Sequence, residues 1–269
     1  MANIFVNSIN SSVGGGKNIL ENYIVELSKN KSSHNYFVLT PDFKKYCSYS
    51  TNNVHIIQIN KIYKNQLFFP LLYFYKFPHI FKFLKIDLII NFGDIIIPSN
   101  IPQIYFFDWA YAVNDSKLIW EPMNLKNYLI RKTKVHLIKR YIKDVNLIIA
   151  QTEHMKDRLI TKLNFHNVRV IPTPIGLDLS KKNIKKHFKL PQNKILFLYP
   201  AGFSLHKNFE MVLKVGRLID SKNLPFTIVL TLSKNHKNQF LNQIKDIKSI
   251  VNVYSVSTDN MPSLYSQCN

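Results

Sequence analysis

Residues 3–20 have the sequence NIFVNSINSSVGGGKNIL, and this stretch decides the fold class. The apolar run Ile4-Phe5-Val6 is typical of a buried strand, and a helical pattern begins near Asn18. Three of the seven glycines, Gly14–Gly16, lie between them. Glycine permits positive φ and close approach of a ligand, and the next helix presents unpaired N–H groups to an anion. The stretch predicts a strand, a ligand-binding glycine loop and a helix; a tight turn that binds nothing is the alternative.

Two well-known glycine motifs do not match this loop. The P-loop motif G-x-x-x-x-G-K-[ST] would need glycine at Ser11 and a hydroxyl at Asn18. The dinucleotide motif G-x-G-x-x-G would need its third glycine at Ile19. These departures disfavour a nucleoside triphosphatase and a dehydrogenase.

Strand and helix patterns alternate along the whole chain. Short runs rich in Val, Ile, Phe and Tyr predict strands at 3–9, 36–40, 54–59, 87–92, 103–107, 146–152, 168–172, 195–199, 226–232 and 250–255. Helical periodicity predicts helices at 18–30, 124–143, 153–163, 208–220 and 238–247, and Thr152 is a candidate N-cap. Such alternation indicates an α/β fold with a parallel sheet covered by helices.

A change of composition predicts two domains. Residues 177–193 are polar and rich in lysine, after which the alternation of strands and helices starts again. We expect an N-terminal Rossmann-like domain at 1–178, a linker at 179–193 and a second Rossmann-like domain at 194–269. The second domain is expected to be incomplete, because it is shorter than the roughly 100–150 residues typical of a domain.

Composition narrows the class of protein. The chain has 269 residues and is 46% hydrophobic, as expected of a globular protein. Cys47 and Cys268 belong to no metal-binding spacing, and no D-x-D pair occurs, so neither a metal nor a disulfide is expected. The sequence shows neither a signal peptide nor an apolar run of membrane-spanning length. We therefore expect a cytoplasmic protein.

The net charge of +20 predicts attraction to polyanions such as nucleic acid, an anionic membrane or phosphorylated substrates. Much of this charge is also explained by a genome rich in A and T, because Lys, Asn and Ile are abundant. Nucleic-acid binding is disfavoured, since no helix-turn-helix, RRM, KH or zinc pattern accompanies the charge.

Residues 63–85 alternate aromatic residues with lysines and are interrupted by Pro70 and Pro78. This composition is typical of an element that lies in a membrane interface, where the rings enter the headgroup region and lysine meets anionic lipid. A crossover segment that packs its rings on the sheet is an equal alternative.

Three passages together resemble a known family. They are NSINSSVGGGKNIL at 7–20, LIIAQTEHMKDRL at 147–159 with VRVIPTPIGLD at 168–178, and LFLYPAGFSLHKNFEMVL at 196–213. Their order and spacing resemble those of retaining GT-B glycosyltransferases, in particular glycosyltransferase family 4. Members of that family have two Rossmann-like domains that face each other across a cleft, and many build bacterial lipopolysaccharide or capsule from nucleotide-sugars.

The resemblance implies roles for individual residues. Gly14, Gly15 and Gly16 match the family's glycine-rich loop, whose N–H groups meet donor phosphate or acceptor. Lys207 matches the lysine that contacts the donor diphosphate and stabilises charge on the leaving group. The alternative for Lys207 is an ordinary surface lysine. We expect the neighbouring His206 to donate a hydrogen bond to phosphate, and a purely structural histidine is the alternative.

The chain also departs from the family pattern. Ala201-Gly202 stands where many members have a glycine-arginine pair, and YFFDWAY at 105–111 places Asp108 where many have a histidine near the reacting sugar. Asp108 is a candidate for orienting the acceptor, with a carboxylate that caps the strand end as the equal alternative. The family's E-x(7)-E stretch, which contacts the donor, does not occur before Asn269, so a C-terminally truncated member is expected.

The resemblance implies a retaining transferase that uses a nucleotide-sugar donor and a glycan or polyprenol-linked acceptor, without a metal or another cofactor. Peripheral contact with an anionic membrane, on the inner face of the cell membrane, agrees with the positive charge. Two alternatives remain open: an inactive fragment of such an enzyme, and a basic module that binds membrane or nucleic acid.

Overall fold

The computed structural model describes residues 1–12, 14–30, 32–65, 68–121, 123–172, 188–204, 207–233, 239–254, 256–257 and 260–268. The chain divides into two compact units, Met1–Gly176 and Leu177–Asn269. Each unit contains its own parallel sheet. The α/β fold class that the sequence predicts is therefore confirmed.

The first unit is built on a seven-stranded parallel sheet with the order β3-β2-β1-β4-β5-β6-β7. Its strands are β1 Asn3–Asn7, β2 Asn35–Leu39, β3 Val54–Ile57, β4 Leu88–Asn91, β5 Gln103–Phe107, β6 Leu147–Ala150 and β7 Val168–Val170. In the inner strand β1, Phe5 and Val6 are fully buried on opposite faces. Burial on both faces explains why the strands are nearly continuous apolar runs in the sequence.

The helices of the first unit cover this sheet. They are α1 Gly14–Lys29, α2 Phe43–Tyr46, α3 Phe69–Leu71, α4 Phe77–Leu84, α5 Lys117–Trp120, α6 Leu125–Tyr141 and α7 Glu153–Leu163. The predicted cap of α7 is present, because Thr152 Oγ1 accepts a hydrogen bond from the Met155 N–H at 3.2 Å. Helix α6 also begins at a cap, where Asn124 accepts from the Asn127 N–H at 2.9 Å.

The aromatic segment at 63–85 packs on the sheet and also presents rings to the surface. A π-helical turn at Leu72–Lys76 joins α3 to α4. The rings of Phe77 and Phe81 lie 5.4 and 5.0 Å from the ring of Phe5, centroid to centroid. The outer side carries exposed apolar residues: Leu71, Phe74, Tyr75 and Phe83. Pro70 lies in the first turn of α3, where its missing N–H removes no helical hydrogen bond. Pro78 lies in the first turn of α4, directly after the π-helical turn.

The second unit has a three-stranded parallel sheet with the order β10-β9-β8. Its elements are β8 Ile195–Tyr199, α8 Phe209–Ser221, β9 Phe226–Leu230, α9 Gln239–Ile244, β10 Ile250–Asn252 and α10 Met261–Tyr265. Much of the predicted linker at 179–193 lies outside the described residues. At its end, Phe188 is buried and packs with Leu196, Val229 and Leu264.

Asp220, in the last turn of α8, fixes the loop that leads into β10. Its two carboxylate oxygens accept hydrogen bonds from the Lys248 N–H at 2.7 Å and the Ser249 N–H at 2.9 Å. Ser249 is fully buried, and its hydroxyl donates to the Gly216 carbonyl at 2.8 Å. The carboxylate therefore holds the end of α8 against the start of β10.

We expect Asp220→Ala to destabilise the second unit by about 1–3 kcal/mol, because two N–H groups lose their acceptor. Hydrogen exchange should accelerate at the amides of Lys248 and Ser249, and the urea midpoint should fall. Asp246→Ala is the matched control, since Asp246 is exposed and its carboxylate makes no hydrogen bond to other described residues. Equal midpoints for the two variants would contradict this role of Asp220.

Candidate active site

The order of the first sheet has a switch point between β1 and β4. From β1 the chain builds outward to β2 and β3 on one side, and β4 to β7 lie on the other side. Ligands of open α/β sheets bind outside the carboxyl ends of the strands at such a switch point. The segments that follow β1, β4 and β5 at this edge contain Gly14–Gly16, Asp94 and Asp108.

The three glycines form the first turn of α1, so the prediction of a loop with a helix from Asn18 was wrong in its local structure. The helix begins earlier because first-turn N–H groups need no helical partner, which limits the cost of glycine there. Gly14 has φ +61°, which favours glycine. A Cβ added at Gly14 or Gly15 would meet nothing within 4 Å. The side-chain positions of Gly14 and Gly15 thus face open space.

Asp108 lies beside this first turn. Its Oδ2 is 3.8 Å from the position that a Cβ on Gly16 would occupy, and the Ser11 hydroxyl is at the same distance from that position. The structure therefore brings two sequence-predicted candidates, the glycines and Asp108, into one place. Asp108 follows β5 directly, and this explains how a residue more than 90 positions away reaches α1.

The carboxyl group of Asp108 has an unusual affinity for protons. Burial of the carboxyl group, and secondarily the charge of Asp94, raise its pKa from 3.8 to about 6. The residue as a whole is exposed to solvent, so water screens part of this effect. A carboxyl group with a raised pKa is suited to accept a proton from a hydroxyl group and to release it again.

Asp94 and Lys134 form an ion pair that the sequence interpretation missed. Lys134 Nζ lies 2.5 Å from Asp94 Oδ2, and the lysine is buried. Its ammonium group also lies 5.7 Å from the centre of the Trp109 ring. The positive charge offsets the effect of Asp94 on the neighbouring Asp108. In the sequence, the signal for this buried ion pair was the position of Lys134 among the apolar residues of one face of α6.

A buried network of polar side chains underlies the site. Asn7 Nδ2 donates to Asn91 Oδ1 at 2.9 Å and lies 3.2 Å from the Tyr73 hydroxyl, and Asn91 Nδ2 donates to Gln103 Oε1 at 3.1 Å. Asn7, Asn91 and Gln103 belong to β1, β4 and β5 and are fully buried. The network therefore links the three strands whose ends carry the site. In the sequence, the signal for this network was the presence of amide side chains within apolar strands.

In the second unit, Lys207 lies between the carboxyl end of β8 and the start of α8. Its N–H donates to the Ser204 carbonyl at 3.0 Å, and the Tyr199 hydroxyl donates to its carbonyl at 2.6 Å. These bonds fix the backbone, whereas the residue is exposed and forms no ion pair with the described residues. The adjacent Asn208 caps α8. His206, the other predicted phosphate contact, lies outside the described residues.

The described part of the chain offers no group of three or more His, Cys, Asp or Glu residues that is placed to hold a metal ion. Among the same residues, none of the helices combines the length and the apolar character needed to cross a membrane.

Comparison with solved structures shows the fold of the chain. The UDP-GlcNAc 2-epimerase from Neisseria meningitidis bound to UDP-GlcNAc is 13% identical, with a TM-score of 0.58 over 99% of this chain and 75% of that one. HepE from Anabaena in complex with UDP and glucose is 17% identical, with a TM-score of 0.57 over 100% and 72%. The lipopolysaccharide outer core galactosyltransferase WaaB is 12% identical, with a TM-score of 0.54 over 96% and 69%.

These neighbours are GT-B glycosyltransferases and epimerases, and their likeness extends over nearly the whole chain, so the predicted GT-B-like fold is confirmed. No family model and no curated protein matches the sequence. Assignment to glycosyltransferase family 4 therefore stays a prediction.

We expect Gly93→Ala to destabilise the first unit by about 1–3 kcal/mol, because the added methyl group would overpack a closed polar network. Its Cβ would lie 2.5 Å from Asn7 Nδ2, 2.7 Å from the Tyr73 hydroxyl and 2.9 Å from Asn91 Oδ1. Gly15→Ala is the control, because open space surrounds that position. Urea unfolding measures both, and a variant Gly93→Ala as stable as Gly15→Ala would refute the account.

Asp108 also predicts a pH dependence of stability. Because its folded pKa is raised, the stabilising contribution of protonated Asp108 is complete below about pH 4 and is lost as the pH rises through about 6. As the pH rises over this range, the free energy of unfolding of the native chain should therefore fall relative to that of Asp108→Asn. Urea midpoints of both proteins from pH 4 to 7 measure the difference, and a constant difference would rule out a raised pKa.

Proposed function

We propose that this chain is a glycosyltransferase that moves a sugar from a nucleotide-sugar to a glycan or lipid-linked acceptor with retention of anomeric configuration. The observation that carries the proposal is the open first turn of α1 with Asp108 beside it, at the switch point of a GT-B-like sheet. Two of the similar structures are complexes with UDP-GlcNAc or with UDP and glucose, and this supports a nucleotide-sugar donor here.

Each residue has a chemical role in this proposal. The N–H groups at the start of α1 hold an anionic or hydroxyl-bearing substrate group, and Asp108 orients the acceptor hydroxyl. The acceptor oxygen bonds to the anomeric carbon as the bond from that carbon to the diphosphate breaks, and the hydroxyl proton leaves with the diphosphate. Lys207 stabilises the charge on the diphosphate, so the proposal requires no metal.

The acceptor and the location belong to the same proposal. We place the reaction in the synthesis of lipopolysaccharide or capsule at the inner face of the cell membrane. The net charge of +20 and the exposed rings of Phe74, Tyr75 and Phe83 support peripheral contact with an anionic membrane. The description of WaaB as a lipopolysaccharide galactosyltransferase agrees with this assignment.

Transfer should be measured with a panel of UDP-, GDP- and ADP-sugars, lipid-linked and soluble acceptors, and EDTA. We expect Lys207→Gln to lower kcat/KM by about 10²–10³-fold, as for other donors that stabilise developing negative charge. Lys214→Gln is the control, because Lys214 is an exposed lysine of α8 without an ion pair in the described structure. Equal activity of the two variants would contradict the role of Lys207.

The same panel separates the alternatives. Formation of an epimerised nucleotide-sugar in the absence of acceptor would contradict the proposed transfer and support epimerisation instead. Epimerisation is the activity named for one similar structure. The absence of turnover with every donor would favour the inactive fragment or the basic binding module.

A further inference from the structure

The first unit contains an apolar pocket that the proposed function does not use. It lies between α6 and a group formed by Asn65, Phe69, Pro70 and Phe74, and has a volume of about 490 Å³, within the range of ligand sites. One wall consists of Phe69, Pro70 and Phe74, and Ile95 also contributes. The opposite wall is a single stripe of α6: Lys126, Leu129, Ile130, Thr133, Lys134 and Leu137.

The spacing of this stripe is that of one helix face, i, i+3, i+4, i+7, i+8 and i+11. Lys126 stands near the start of α6, and Lys134 lies two turns further, about 12 Å along the axis. Three residues without charge, Leu129, Ile130 and Thr133, occupy the distance between the two lysines. The pocket is therefore a slot that has uncharged side chains between two lysines, and Leu137 lies about one turn beyond Lys134.

The polar groups within the slot already have partners. The Thr133 hydroxyl donates to the Leu129 carbonyl at 2.9 Å, and Lys134 is paired with Asp94. Asn65 also has an interaction partner. A sugar or a nucleobase would find few free groups for hydrogen bonds there, whereas a hydrocarbon chain needs none. The walls therefore favour an aliphatic occupant.

The mouth of the slot has the character of a surface that meets lipid. Leu129 is 54% exposed, Phe74 is 43% exposed and the neighbouring Leu71 is 47% exposed. Lys126 is exposed at the same rim and forms no ion pair with the described residues. Apolar side chains next to an available cation complement the interface of an anionic bilayer.

We infer that this slot binds one hydrocarbon chain of an anionic membrane lipid, with the chain between α6 and Phe69 and the lipid phosphate at Lys126. The binding does not depend on sugar transfer, because it needs neither donor nor acceptor. The inner end of the slot reaches Lys134, whose ammonium group lies 5.8 Å from the Phe69 ring centre and 5.7 Å from that of Trp109. A bound lipid chain would thus extend toward the edge of the sheet that carries Asp108.

Calorimetric titration of the full chain with monomeric dodecyl phosphate tests the site. We expect one molecule per chain, and a rise in affinity of about fourfold for each methylene from octyl to dodecyl phosphate, because burial of a methylene contributes about 0.8 kcal/mol. Inorganic phosphate at the same concentrations should not bind. An affinity independent of chain length would overturn the inference.

A pair of threonine variants tests the location. Thr133→Phe should fill the slot and lower the affinity for dodecyl phosphate by about tenfold or more, which corresponds to loss of two or more methylenes. Thr161→Phe is the matched control: Thr161 is also exposed on a helix, its hydroxyl donates to the Asp157 carbonyl at 2.8 Å, and it lies outside the slot. Equal loss in both variants, or no loss in Thr133→Phe, would place the lipid elsewhere.

A second pair guards against a folding defect in Thr133→Phe. Leu129→Asp places a charge at the mouth and should also weaken binding, whereas Leu118→Asp, at a residue that is 84% exposed and outside the slot, should not. Vesicles of phosphatidylcholine with phosphatidylglycerol then test the bilayer as the source. Weaker vesicle binding by Thr133→Phe than by Thr161→Phe supports a lipid drawn from the membrane, and equal binding refutes it.

Discussion

The hydrogen bonds among Asn7, Asn91 and Gln103 are the constraint on which the site depends. An amide buried in an apolar sheet is costly unless each of its groups finds a partner, and here the partners belong to three different strands. Strands β1, β4 and β5 must therefore keep their relative register for any of the amides to be satisfied. Because the glycine turn, Asp94 and Asp108 follow these strands, their positions are set by the same bonds.

The electrostatics of the site depend on that arrangement. Asp94 and Asp108 come after neighbouring strands, so their carboxyl groups interact, and the buried Lys134 compensates one of them. Burial of the Asp108 carboxyl group is the main cause of its raised pKa, and the charge of Asp94 adds to it. On the other unit Lys207 has a fixed backbone and an ammonium group without an ion pair among the described residues. The first unit thus contributes a carboxyl group with a raised pKa, and the second contributes an exposed lysine.

The sequence predicted the features that depend on local pattern. Apolar runs located the strands, and the hydroxyl of Thr152 marked the start of α7, because period and capping are properties of neighbouring residues. The proximity of Asp108 to Gly16 could be expected only in outline, from the rule that parallel strands end at one edge. The pairing of Asp94 with Lys134 and the amide network were missed. Asp94 and Lys134 are 40 positions apart and Asn7 and Asn91 are 84 apart, and no local pattern specifies the direction of their side chains.

Because of the π-helical turn at Leu72–Lys76, the packing of the aromatic segment on the sheet depends on the number of residues from α3 to α4 as much as on their identity. It widens one turn between α3 and α4, and Tyr73, Phe77 and Phe81 all remain on the buried side. Each residue added to or removed from a helix rotates all later residues of that helix by about 100°. A one-residue deletion would keep nearly every aromatic ring, yet it would turn Phe81 away from Phe5 and bring the outward rings toward the sheet. Relatives of this protein should therefore vary in the identity of these rings more readily than in the number of residues that carry them.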